Sequence, residues 1–193
     1  MVKIGGGKTI APKSYHSFDD QKTPDAEYFS ELKRVSKNQI IWGGNYFLDY
    51  LNATPCMIFW DKARDGIGFA DGELAWTSFK SPTRRFLFRW NGMLQGDMKN
   101  KEERFHPTQK PKALYDWIFK NYAKEGMKIL DTHLGSGSSR LAAWDAGLDF
   151  TGYEIDKYYF DKQEERFATY IAQTSLFVPQ EEIEQTNLFE EGI

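Results

Sequence analysis

A single cysteine, Cys56, stands among the 193 residues, so no disulfide can close within the chain. Cysteine usage this sparse is expected of a protein kept in a reducing compartment. Only three histidines occur, His16, His106 and His133, scattered without metal-ligand spacing, and no metal is expected. No apolar run approaches the roughly 20 residues that a spanning helix needs, and the opening MVKIGGGKTIAPKSY has no signal-like apolar core. A cytoplasmic location is the resulting expectation. What is present is 40% hydrophobic and 16% aromatic residues, enough for one well-cored domain and hardly for two.

Strong charge of one sign is missing as well, since the formal net charge is only −3. Its distribution is uneven. The last fourteen residues, QEEIEQTNLFEEGI, hold five acids and no base, and over the rest the bases outnumber the acids by two. Between Lys80 and Lys112 nine Lys or Arg face only Asp97, Glu102 and Glu103. Basic residues interleaved with Phe86, Phe88, Trp90 and Phe105 are what phosphate contact combined with base contact requires. Lys80, Arg84, Arg85, Lys99, Lys101 and Arg104 are therefore the nucleic-acid-binding candidates, with an ordinary solvated hairpin as the alternative.

The rest of the chain is organised around Met127 to Asp156, MKILDTHLGSGSSRLAAWDAGLDFTGYEID. An apolar run ends in Asp131, a glycine-containing turn follows, and Ser139 to Ala146 has helix composition. Gly147 stops the helix, and Phe150 to Ile155 reads as a second strand carrying Glu154 at its end. An acid roughly twenty positions beyond the first loop glycine is the spacing that sets a carboxylate beside a ribose. An adenosine-containing cofactor follows from this βαβ unit. Gly135 and Gly137 lack the third small residue of the dinucleotide fingerprint, and Arg140 counts against NAD. S-adenosylmethionine, which has no pyrophosphate to cradle, fits better. Gly135, Gly137 and Glu154 are the candidate contacts; the plainer alternative is a tight turn in some other α/β domain.

Taken in order, Gly5-Gly6-Gly7 and the residues to Asp20 read as a loop. Pro24 to Lys37 reads as a helix, Gln39 to Trp42 as a buried strand ending at Gly43-Gly44-Asn45, and Tyr46 to Leu51 as a short helix. Cys56 to Trp60, Glu73 to Phe79 and Arg85 to Trp90 read as three strands that suggest an antiparallel edge. His106-Pro107-Thr108-Gln109-Lys110-Pro111 runs into a helix with Pro111 at its first position and Leu114, Trp117, Ile118 and Tyr122 on the buried face. Asp156 to Ala172 is a final helix, and from Pro179 the chain reads as a flexible acidic tail. The expected division is a domain over 1–178, with a recognition segment about 80–104 and a cofactor half 105–172, followed by the tail 179–193.

HPTQKP, then ILDTHLGSGSS and GYEID, resemble the cofactor half of the DNA adenine-N6 and cytosine-N4 methyltransferases. The chain is similar to the phage and restriction-modification subgroup whose catalytic half precedes the cofactor half, and QIIWGGNYF resembles its strand after the catalytic loop. The likeness runs from Gly5 to about Ala172. It implies a Rossmann-like, S-adenosylmethionine-dependent α/β sheet with helices on both faces and an antiparallel edge, and double-stranded DNA as substrate, adenine N6 favoured over cytosine N4. It also implies Asp131 and its loop, with His133, Gly135, Gly137 and Ser138, beneath the methionine end of the cofactor, Glu154 on the ribose hydroxyls, and His106, Thr108, Gln109 and Lys110 closing the methionine pocket.

The family's Asp-Pro-Pro-Tyr or Ser-Pro-Pro-Tyr, expected just before Gly5, is absent. In the family that motif orients the target amine and stacks the flipped base. The expectation is thus an N-terminally truncated relative, with no catalytic residue assigned, inactive alone, and with a sheet poorly buried for want of its central strand. A non-catalytic scaffold for DNA or cofactor is the alternative from another class, an RNA or small-molecule methyltransferase a third, and homodimer formation is left open.

One repeat remains: Gln173-Thr174-Ser175-Leu176-Phe177 and Gln185-Thr186-Asn187-Leu188-Phe189 match at four of five positions. Both resemble the Gln-x-x-Leu-Phe peptides that dock on the bacterial sliding clamp, which makes Gln185, Leu188 and Phe189 candidate docking residues. Packing of these segments on the chain's own surface is the alternative.

Overall fold

The computed structural model describes residues 14–17, 23–64, 70–91 and 94–175. They fall into two compact units, one within Phe18–Glu103 and one within Met1–Ser17 and Arg104–Ile193.

The first unit begins with helix α1, Ala26–Val35. Asp25 caps it, its carboxylate accepting from the Tyr28 amide at 3.0 Å, and Lys33 and Arg34 lie in its last turn, where cations complement the helix dipole. Phe29, the fully buried residue of α1, packs with Leu51 and Trp76, and Tyr28, Ile41, Phe47 and Met57 close round them. Strand β1 is Ile40–Trp42, half-buried throughout. Gly43, at φ 70°, turns the chain into a 3-10 turn at Gly44–Tyr46, the only regular structure where a short helix over Tyr46 to Leu51 is expected. Gly44 lies so close to Trp76 that a Cβ would stand 2.4 Å from the Trp76 Cβ, so any side chain there would push β1 off its neighbour.

Strands β2, Met57–Asp61, β3, Gly72–Thr77, and β4, Arg84–Leu87, complete a four-stranded sheet in the order β1-β3-β2-β4. The first two pairings are antiparallel, but β4 runs parallel to β2, so the three strands are not an all-antiparallel edge. The connection after β3 causes this, because it returns past the start of β2. There Ser81 donates to the Cys56 sulfur at 3.2 Å, and Thr83 Oγ1 accepts from the Met57 amide at 3.2 Å. The strand expected to reach Trp90 also stops early, at Leu87. The Phe88 carbonyl accepts from Trp60 Nε1 at 3.0 Å, and a hairpin of β5, Trp90–Asn91, and β6, Leu94–Gln95, takes over.

The second unit carries helix α2, Lys112–Tyr122, with Pro111 as its N-cap rather than its first helical residue. Leu114, Ile118 and Phe119 are its buried face, while Trp117 and Tyr122 are half-buried and meet edge to face. Strand β7, Lys128–Asp131, helix α3, Ser138–Asp145, and strand β8, Asp149–Gly152, form the βαβ unit, with β7 and β8 parallel from Lys128↔Asp149 to Asp131↔Gly152. Strand β8 ends before Glu154, since the Tyr153 amide donates to the Asp131 carbonyl and its carbonyl accepts from Leu134, turning the chain across the loop after β7. Helix α4, Lys157–Ser175, follows, with Asp156 accepting from the Tyr159 amide at 3.1 Å. Among the described strands β7 and β8 pair only with each other, and Leu130 stays 39% exposed. No described helix is long and apolar enough to cross a membrane.

Candidate functional site

Asp131 ends β7 and secures the turn that follows it. One of its carboxylate oxygens accepts from the His133 amide at 3.0 Å and the other from the Ser139 hydroxyl at the start of α3. Gly135 and Gly137 hold φ of 54° and 72°, the left-handed region that side chains avoid. A Cβ on Gly135 would meet the His106 ring at 3.5 Å, and one on Gly137 would meet Gln163 at 3.1 Å, so both glycines are buried against neighbouring side chains. Glu154 binds this loop: Oε2 accepts from the Gly135 amide at 2.8 Å and Oε1 from the Asp156 amide at 2.9 Å. Each carboxylate oxygen keeps a further lone pair for an outside donor. Beside it Ile155 is 99% exposed, an apolar side chain given entirely to solvent.

His106 to Lys110 fold into a closed turn. The buried Gln109 side chain accepts from the Phe105 amide at 3.1 Å, and the Gln109 backbone amide donates to the His106 carbonyl at 3.2 Å. His106 Nδ1 accepts from the Thr108 amide at 3.3 Å, which leaves the ring proton on Nε2. Burial pushes its pKa below the ordinary value of 6.5, so the ring is neutral near pH 7. The Lys110 charge works in the same direction, against the pull of Glu154 and Asp156. Glu154 is thus bonded to Gly135 and the His106 ring lies beside it, Thr108 and Gln109 close the His106 turn, Asp131 ties the loop to Ser139, and the His133 side chain is exposed.

Helix α4 adds residues that the sequence reading missed. Arg166 donates to the Ser136 carbonyl and to the Ser138 hydroxyl, both at 2.9 Å. Gln163 accepts from Arg140 at 2.9 Å, and Tyr159 packs edge-on against His106 with ring centroids 4.3 Å apart. The Tyr159 hydroxyl donates to the His16 carbonyl at 2.7 Å, and the His16 ring stacks on Tyr158. Tyr159, Gln163 and Arg166 recur at helical spacing, and a polar stripe on the inward face of a helix is the signal that would have found them.

The basic candidates are spread more widely. Arg84 and Arg85 open β4, both exposed, and strand alternation sends them to opposite faces. Phe86 stacks on Phe88 at 5.8 Å. Lys99 and Lys101 are exposed round a turn that Asp97 caps through the Lys99 and Asn100 amides, at 2.9 and 3.1 Å. Lys80 lies within the loop after β3, in the same unit, whereas Arg104 belongs to the other unit. Gln185, Leu188 and Phe189 lie outside the described residues, and among the described ones no cluster of three metal-ligating side chains occurs.

The family model for DNA methylase, N6_N4_Mtase, matches residues 13–165. The chain belongs to this DNA methylase family. It is 36% identical over 67 residues to the type II methyltransferase M.HpaI of Haemophilus parainfluenzae, covering 35% of this chain and 21% of that protein. It is 39% identical over 67 residues to the type II methyltransferase M2.DpnII of Streptococcus pneumoniae, covering 33% of this chain and 25% of that one. These matched stretches span about a fifth to a quarter of the curated relatives. The crystal structure of the M1.HpyAVI–SAM complex is similar with a TM-score of 0.52 at 23% identity, over 75% of this chain and 83% of that one. The shared fold is the Rossmann-like methyltransferase fold.

Proposed function

We propose that this chain binds S-adenosylmethionine and DNA as part of a DNA methyltransferase acting on an exocyclic amine, adenine N6 in preference to cytosine N4. The observation that carries the reading is the Glu154 carboxylate held on the amide of Gly135, with the exposed Ile155 next to it. These residues fit the cofactor. Glu154 has lone pairs left for ribose hydroxyls, Ile155 offers an apolar face to adenine, and the His106 to Lys110 turn lies against the loop where a methionine arm would pass. When bound, the cofactor supplies a methyl group activated by its sulfonium. Calorimetric titration should give saturable binding of S-adenosylmethionine; no heat with the folded chain would sink this part of the reading. Nucleoside mass spectrometry of methylated DNA separates N6-methyladenine from N4-methylcytosine.

None of the 193 residues supplies an Asp-Pro-Pro-Tyr. That favours a second statement, that these residues bind cofactor and DNA without completing catalysis by themselves. For DNA, Arg84 and Arg85 are the favoured phosphate contacts, because both are exposed on β4, an edge strand among the described residues, beside the stacked Phe86 and Phe88. Replacing both with alanine should lower the log–log salt slope of duplex binding by about 1 to 2 units, at roughly 0.9 per phosphate contact. An unchanged slope would move the surface to Lys99, Lys101 and Arg104.

The reading includes a docking role for Gln185, Leu188 and Phe189. A peptide of the last fourteen residues should bind a bacterial sliding clamp with an affinity on the order of micromolar, as one buried anchor pair allows. Leu188→Ala with Phe189→Ala should abolish that binding, and a peptide giving no signal at high concentration would remove the partner.

A further inference from the structure

A cavity of about 360 Å³ opens in the unit within Phe18–Glu103, between the end of α1, the turn at 52–55 and the strand ends at Gln39 and Ser78. It lies at the opposite end of β1 from Gly43. Lys33, Lys37 and Lys80 line it, and no carboxylate does, although acids outnumber bases in the chain as a whole.

The polar wall is already built. The Gln39 amide donates to Ser78 Oγ at 2.8 Å, its side chain donates to the Ser36 carbonyl at 2.9 Å, and Trp76 Nε1 donates to the Asn52 carbonyl at 2.7 Å. Lys33 is committed to the Tyr50 carbonyl at 2.7 Å and fixes the turn against α1. Lys37 and Lys80 are exposed at the cavity and belong to no ion pair among the described residues. The carbonyl end of α1 alone would repel an anion, but its dipole amounts to roughly half a charge against three ammonium groups. Pro55 and Phe79 give the same cavity an apolar side.

We propose that this cavity is a phosphate-binding site, with Lys37 and Lys80 as the charged contacts and the Asn52 side chain as a neutral donor. The ligand class is a phosphate ester, carried either by a free nucleotide or by a nucleic-acid backbone. Such a site needs neither S-adenosylmethionine nor methyl transfer, so it survives or fails separately from the cofactor reading.

Two-dimensional amide NMR of the full chain tests it, with inorganic pyrophosphate, adenosine monophosphate and a short mixed-sequence duplex as probes at constant ionic strength. At least one probe should give saturable shifts at Ser36, Lys37, Ser78 and Lys80. Lys37→Met with Lys80→Met should weaken that binding tenfold or more, while Lys128→Met leaves it unchanged. Saturation by the small anions identifies a free phosphate ester, and saturation by duplex alone identifies the backbone. No saturable shift with any probe, equal shifts with sodium chloride, or full binding by the Lys37/Lys80 double variant would overturn the site. Calorimetry with S-adenosylmethionine on the same double variant should be unchanged, which separates loss of this site from loss of the fold.

Discussion

Glu154→Ala should weaken S-adenosylmethionine binding by about 2 to 3 kcal/mol, roughly 30- to 150-fold, the range for hydrogen bonds to a charged group. Two effects act together. The ribose hydroxyls lose an ionised acceptor, and the Gly135 amide, held at 2.8 Å by the same carboxylate, loses the partner that fixes the loop. Glu154→Gln separates little from alanine in this geometry. Both carboxylate oxygens accept from backbone amides, so the side-chain NH₂ of glutamine would face a donor whichever way it turned. Calorimetric titration of the three proteins measures the difference, with a thermal melt of each confirming that the fold is kept. Equal affinities would take Glu154 out of the site.

Residues 1 to 193 alone should transfer no methyl group to duplex DNA above the blank of a labelled-methyl assay. The argument is one of orientation. Holding a reacting pair in line is worth several orders of magnitude, and removing one aligned polar group from an active site costs about 10²- to 10³-fold. Here no residue is assigned to accept hydrogen bonds from the target amine and aim its lone pair at the sulfonium. Fusing a strand that ends in Asp-Pro-Pro-Tyr ahead of Gly5 should restore transfer. Robust transfer by the 193 residues without it would show that another side chain orients the amine.

The parts of the candidate site legible in the sequence are those written locally. A strand ending in an acid, a turn with two glycines and a second acid twenty-three residues after Asp131 lie within thirty residues, so periodicity and turn chemistry were enough to place Asp131, Gly135 and Glu154. What failed depended on distant partners. The direction of β4 is set by Ser81 and Thr83 bonding back to the start of β2, which no pattern within Arg84–Leu87 encodes. Strand β8 ends at Gly152 because the Tyr153 amide makes the last bond to Asp131 and its carbonyl then turns to the Leu134 amide. Arg166, Gln163 and Tyr159 read as ordinary helix residues until the loop they bind is folded beside them.

The inward stripe of α4 makes the glycine loop hard to transplant. Arg166 grips Ser136 and Ser138, Gln163 closes on Gly137, and Tyr159 links His106 to the backbone of His16. A designer who moved only β7, the loop and α3 to another scaffold would carry over the left-handed glycines without the side chains that shape them. Residues 14–17 and 105–110 would have to travel with 127–170, since Tyr159 holds the His106 ring and the His16 carbonyl while Tyr158 stacks on the His16 ring.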